Sequence, residues 1–267
     1  MNEVRRQLKI IGVTSLLWLF SFCVNAFQLN VEFSADAVQI SPGRPPLMSK
    51  MYVSKDAVRT EVNQQGYKIV DIAYPKKGKR ILLYPDQKMY SEQNGLPAFK
   101  SWSGKSVKTP CEGVKNAKCK KLGTEKIYKR QVEKWQVERM INGREFKSLH
   151  WIDSKRRIAI KEMFHDGAVS ELKMLGTEDI NGRKVEQWES SFSHPSGQNR
   201  VSKQWYDLEL KMVVREELPG GYLRELSNIE IKKQNKNLFV IPKDYKKMTN
   251  QDKNMKSLNS PGVKPAS

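Results

Sequence analysis

Apolar residues in this 267-residue chain come in short alternating runs, not at helical spacing. Phe27, Leu29, Val31 and Phe33 alternate with polar neighbours, the period of a half-buried strand. Ser41-Pro-Gly-Arg-Pro-Pro46 breaks the run. Met51-Tyr-Val53 then leads through the turn Ser54-Lys55-Asp56 into a strand at Val58–Val62. Further strands are predicted at Lys68–Ala73, Arg80–Tyr84 and Lys88–Tyr90, separated by Pro75-Lys-Lys-Gly78 and Pro85-Asp86-Gln87. Such punctuation every dozen residues or so predicts an antiparallel meander. Asn94–Lys121 reads as an irregular middle, rich in Gly, Pro and Ser. Beyond it strands are predicted at Arg130–Val137, Phe146–Ile152, Arg157–Met163, Arg183–Ser190, Arg200–Tyr206, Lys211–Leu218, Tyr222–Lys232 and Leu238–Ile241. No stretch beyond Phe27 shows a long capped helical period, so helix is predicted to be minor.

The later strands are written twice. Leu122-Gly123-Thr124-Glu125 returns as Leu175-Gly176-Thr177-Glu178, an offset of 53. Arg130, Val132, Glu133 and Trp135 return as Arg183, Val185, Glu186 and Trp188 at the same offset. After a one-residue slip Trp151 and Asp153 match Trp205 and Asp207, and Lys161-Glu162 matches Arg215-Glu216. Val169-Ser170-Glu171-Leu172 likewise answers Leu223-Arg224-Glu225-Leu226. This predicts a duplicated supersecondary unit, 122–174 and 175–229. Two copies are too few for a solenoid, so the rest of the chain is expected to complete one sheet around them.

The ends carry other signals. Arg5, Arg6 and Lys9, the apolar run Ile10–Phe20 and Val24-Asn25-Ala26 read as a signal peptide over 1–26, with Phe27 the mature start. Cys23 leaves with it. Losing three cations and Glu3 takes the net charge from +19 to +17. Cys111 and Cys119 remain, an even pair in an exported chain, and predict a disulfide closing a basic surface loop. The tail 249–267, rich in Lys, Asn, Ser and Pro, is expected to be disordered, leaving 27–248 as one β domain.

Candidate chemistry is sparse. There is no G-x-S-x-G elbow, and His150, His165 and His194 have no paired ligand spacing, so neither a catalytic site, a metal nor a cofactor is predicted. Asp153/Asp207 and Glu162/Glu216 recur as carboxylate pairs, but turns and neighbouring cations account for them. The tryptophans have the stronger claim. An antiparallel sheet with few helices has two faces to cover: either it curls on itself and the tryptophans pack, or one face forms a groove for an apolar ligand. Its candidate lining is Trp135, Trp151, Ile160, Trp188, Trp205, Val214 and Leu226. Lysines spread along the chain suit an anionic membrane surface rather than nucleic acid.

Three segments resemble one family. The strands of Met51–Val62, the hairpin Ile81-Leu-Leu-Tyr-Pro-Asp-Gln-Lys-Met-Tyr90 and the closing Leu238-Phe-Val-Ile-Pro-Lys-Asp-Tyr245 are similar to those of the LolA/LolB-type periplasmic lipoprotein-carrier superfamily. The resemblance implies a curved antiparallel half-barrel with few short helices and a cavity for acyl chains. It implies a non-enzymatic periplasmic protein of a Gram-negative-type envelope that binds a lipid or acylated ligand in lipoprotein or lipid trafficking. Relatives of the RseB type imply the alternative, an envelope-stress sensor or assembly factor with a protein partner. The chain departs from the carriers in its length, its duplication, its cysteine loop and its lack of evident lid helices.

Overall fold

The computed structural model describes residues 31–64, 66–95, 109–112 and 114–249. The signal segment, the start of the first predicted strand and nearly all of the tail lie outside them. Strands β1 (Phe33–Ile40), β2 (Leu47–Val53), β3 (Val58–Gln64), β4 (Tyr67–Tyr74), β5 (Lys79–Tyr84) and β6 (Met89–Gln93) form one meander. A second runs through β7 (Ala117–Ile127), β8 (Arg130–Ile141), β9 (Arg144–Asp153), β10 (Ala159–Met163), β11 (Val169–Ile180), β12 (Arg183–Ser193), β13 (Asn199–Asp207), β14 (Met212–Leu218) and β15 (Tyr222–Ile231).

Antiparallel pairing of β1 with β15 fuses the two meanders into one curved, open sheet of sixteen strands, β7 at one edge and β16 (Lys246–Lys247) at the other. Among the described strands only β16, parallel to β6, breaks the antiparallel rule. Helix among the described residues is limited to 3-10 turns, two of which begin at Pro75 and Pro85 and end on left-handed Gly78 and Lys88. Proline suits the first position, where its missing N–H leaves no bond unmade. The mainly β, antiparallel architecture is the one the sequence pattern predicts, and the curvature is what the family resemblance implies.

The duplication is visible strand by strand, β7–β10 against β11–β14. Both Leu-Gly-Thr-Glu segments lie inside strands, and both carry a bulge: the register shifts between Lys121 and Gly123 and again between Met174 and Gly176. Leu122 and Leu175 are the extra residues, which bend the strand locally. The end of the predicted irregular middle is therefore strand. It escapes the alternation rule because β7 is an edge with neither face well buried, and its lysines show no period.

A second correction concerns Leu238–Ile241, which is not a strand. Lys236–Phe239 is a 3-10 turn capped by the Asn235 side chain, which accepts from the Asn237 amide at 2.9 Å. Leu238, Phe239, Ile241 and Tyr245 lie over Val70, Ile72, Ile81 and Leu83 of β4 and β5. Tyr74 donates its hydroxyl to the Phe239 carbonyl and Arg59 donates to that of Leu238 at 2.7 Å. The apolar run covers one face of the N-terminal strands instead of extending the sheet.

Candidate functional site

The carboxylates that recur in the repeat are parts of its frame. Asp153 accepts the amides of Lys155 and Arg156, each at 2.8 Å, and the Arg130 guanidinium at 2.8 Å. Asp207 repeats this with the amides of Glu209 and Leu210, at 2.9 and 2.8 Å, and with Arg183. Burial pushes the Asp153 carboxyl up, but the Arg156 amide and the Arg130 guanidinium outweigh it and hold it below the usual range. The last residue of each Leu-Gly-Thr-Glu segment takes an indole: Trp151 donates to Glu125 and Trp205 to Glu178. Trp135 donates to Glu133 at 3.3 Å and Trp188 to Glu186 at 3.1 Å. Glu133, bridged by Lys121 and Arg157, is held down to about 2. Glu162 meets His150 and Glu216 meets Gln204, at 2.8 and 2.9 Å. Cations also stack on the indoles, Lys134 and Lys161 on Trp151, Arg130 and Arg156 on Trp188, and Arg215 on Trp205. Cys111 and Cys119 form the expected disulfide.

A hollow of about 280 Å³ lies elsewhere, between β1–β5 on one side and β14–β15 on the other. The register explains its wall. Ala37 stands opposite Leu226 and Ser49, Ser49 opposite Val62, and Val62 opposite Ile69. Residues opposite one another share a face, so small Ala37 and Ser49 leave a depression flanked by larger apolar groups. Val62, Ile69, Leu82, Val214 and Leu226 line it.

Its charged residues come in neutralising pairs. Arg80 grips Asp71 through Nε and a terminal nitrogen, Arg215 meets Glu225 at 3.0 Å, and Arg224 stands 3.6 Å from Glu216. Asp71 keeps the Arg80 guanidinium protonated even more firmly than usual, and burial pushes the Tyr84 phenol up. A wall of aliphatic groups bounded by closed ion pairs offers no net charge to a ligand; it favours a neutral apolar chain.

Of the seven candidate lining residues, the hollow takes Val214 and Leu226. Trp135, Trp151, Ile160, Trp188 and Trp205 are buried and do not line it. Sequence reasoning missed the wall supplied by β2–β5, although the alternation of Val58, Thr60 and Val62, and of Arg80, Leu82 and Tyr84, carried the signal. Among the described residues no three His, Cys, Asp or Glu side chains converge on a metal-sized space.

No protein-family model matches the chain, and no curated protein matches it in sequence. Solved structures do. A LolA superfamily protein from Nitrosomonas europaea is 11% identical over 81% of this chain and 93% of its own, with a TM-score of 0.35. An outer membrane lipoprotein-sorting protein domain from Vibrio parahaemolyticus is 10% identical over 78% and 89%, with a TM-score of 0.31. MucB in the MucA/MucB complex of Pseudomonas aeruginosa is 9% identical over 78% and 95%, with a TM-score of 0.19. Likeness at this level bears on neither ligand nor activity.

Proposed function

We propose that this is an exported, periplasmic, non-enzymatic protein that binds a lipid or acylated molecule, with one acyl chain lying in the hollow between β1–β5 and β14–β15. The observation that carries this reading is the wall itself, aliphatic along its length and electrically balanced by Arg80–Asp71, Arg215–Glu225 and Arg224–Glu216. Burying apolar surface contributes about 0.8 kcal/mol per methylene, so a chain of ~10 methylenes gains several kcal/mol before ordering costs. A charged ligand would have to break an ion pair to gain a partner. The surplus of lysine outside the hollow supports attraction to anionic lipid, and the reading includes a role in lipid or lipoprotein traffic at the envelope.

The test is native mass spectrometry of the mature chain purified from an exporting host, followed by organic extraction. The reading expects an adduct that extraction releases as an acyl-containing molecule. Protein that stays adduct-free, and that takes up no added fatty acid or phospholipid, contradicts it. A second reading, a protein partner for an envelope-stress sensor or assembly factor, is favoured by one feature. β7 is eleven residues long and ends the sheet, leaving one backbone edge unpaired by any described strand.

A further inference from the structure

The hairpin between β8 and β9 ends in Arg139-Met140-Ile141-Asn142-Gly143-Arg144. Asn142 and Gly143 take left-handed backbone, φ 50° and 75°, as a two-residue hairpin turn requires. That turn needs no apolar flanks. Met140 and Ile141 nevertheless stand 50% and 45% exposed at its tip. The matching hairpin of the second copy, between β12 and β13, turns on His194-Pro195-Ser196-Gly197-Gln198 and is closed by polar contacts, the Ser196 amide donating to His194 Nδ1 at 3.1 Å. The hairpin architecture therefore does not dictate an apolar tip.

The disulfide loop lies beside this tip. The Met140 amide donates to the Asn116 carbonyl at 3.1 Å, and Cys111–Cys119 ties the loop to β7, bringing Val114, also exposed, to the same end of the sheet. Arg139 precedes Met140, Arg144 stands opposite Ile141 and Glu145 opposite Met140, with Lys115 on the loop and Lys118 on β7; among the described residues none of these four cations has an ion-pair partner. Of the acids here, Glu138 and Glu145 share Lys147, each at 3.6 Å, and Glu112 has a contact of its own.

We infer that this end of the sheet is the docking tip for an anionic phospholipid bilayer. Met140, Ile141 and Val114 enter the headgroup boundary, while the four free cations face lipid phosphates. Each part is weak alone: a cation near an anionic surface contributes about 1 kcal/mol, and a few partly buried aliphatic groups a little more. Together they give reversible adsorption. A soluble acidic polypeptide would satisfy the cations but leave the apolar pair in water, and a neutral bilayer would do the reverse. The inference rests on the reading of the chain as a membrane-facing envelope protein, but not on what the hollow holds.

Flotation of the full mature chain with phosphatidylcholine vesicles, with and without about a third phosphatidylglycerol, tests it. The chain is expected to float with the anionic vesicles at low salt and to be released at high salt. Met140→Ser/Ile141→Ser and Arg139→Glu/Arg144→Glu are each expected to lower partitioning roughly tenfold or more. Melting temperatures should stay unchanged, because all four side chains are exposed. Ser49→Trp, which fills the hollow, should float like the wild type, so loss of ligand and loss of docking are told apart. Wild-type flotation that ignores lipid charge, double variants that float undiminished, soluble polyglutamate bound more tightly than vesicles, or loss of flotation in Ser49→Trp each overturn the inference.

Discussion

In the first copy of the repeat, Val132, Trp151, Ile160 and Leu172 cluster with Trp188. In the second, Val185, Trp205, Val214 and Leu226 occupy the matching places but cluster with Ala35 and Ala37. The register gives the reason. β11, which follows the first copy, pairs with β12, so Leu172 and Met174 meet Ser190 and Trp188. β15, which follows the second, pairs with β1, so Leu226 meets Ala37. β12 brings the Trp188 indole to the first cluster; β1 brings Phe33, Ala35 and Ala37 to the second, and only the Ala37 methyl stands opposite Leu226. The same apolar framework is thus plugged in one place and left open onto the hollow in the other. The comparison separates what the duplication builds, a stable curved frame, from what the break in the duplication creates, a space.

The largest expected effect comes from unplugging the first copy. Trp188→Ala should cost about 3–5 kcal/mol in denaturant unfolding, since it removes a buried indole held by Glu186 and flanked by two guanidinium groups. A cost under about 1 kcal/mol would mean that Trp188 plugs nothing. The frame itself is tested by Asp153→Ala and Asp207→Ala. Each should cost about 3 kcal/mol by taking the acceptor from two turn amides and the buried carboxylate from a partly buried arginine, although Arg183 keeps exposed Glu209 at 2.9 Å. Clearly unequal losses would break the equivalence of the copies.

Plugging the second copy should cost little. Ser49→Trp places an indole in existing space and should change stability by less than about 1.5 kcal/mol, while abolishing ligand adducts in the mass spectrum. The smallest effect is a pH dependence. Glu133 is held down to about 2 from an ordinary value of 4.5, chiefly by Lys121 and Arg157. A lowered folded value means that its stabilisation is present above about pH 4.5 and is lost as pH falls toward about 2. The stability difference between wild type and Glu133→Gln should therefore shrink across that window. Glu186, lowered chiefly by Arg156, should behave alike in Glu186→Gln.

Much of this frame was legible in the residues. Gly, Pro and Asn mark the turns, aromatic and branched aliphatic residues mark β8, β9, β12 and β13, and the 53-residue offset marks the duplication. The faces were harder to read. A bulge at Leu122, Leu175 or the β10 residue Ile160 moves the alternation by one, and a bulge is visible only against the partner strand. Without it the four tryptophans and the aliphatic pair Val214/Leu226 look equally suited to a groove. The wall from Val62, Ile69 and Leu82 went unread for another reason. Their alternation is local, but that their face meets β14–β15 across a hollow depends on β1 pairing with β15, a contact between residues about 190 apart that no local pattern encodes.

Titration of the protein with a fluorescent fatty acid, wild type against Ser49→Trp, tests the open copy most directly. The expected result is one saturable site in the wild type and none in Ser49→Trp, with both proteins equally folded. Unchanged affinity and stoichiometry in Ser49→Trp would place any acyl chain outside the hollow between β1–β5 and β14–β15 and contradict the proposed function at its root.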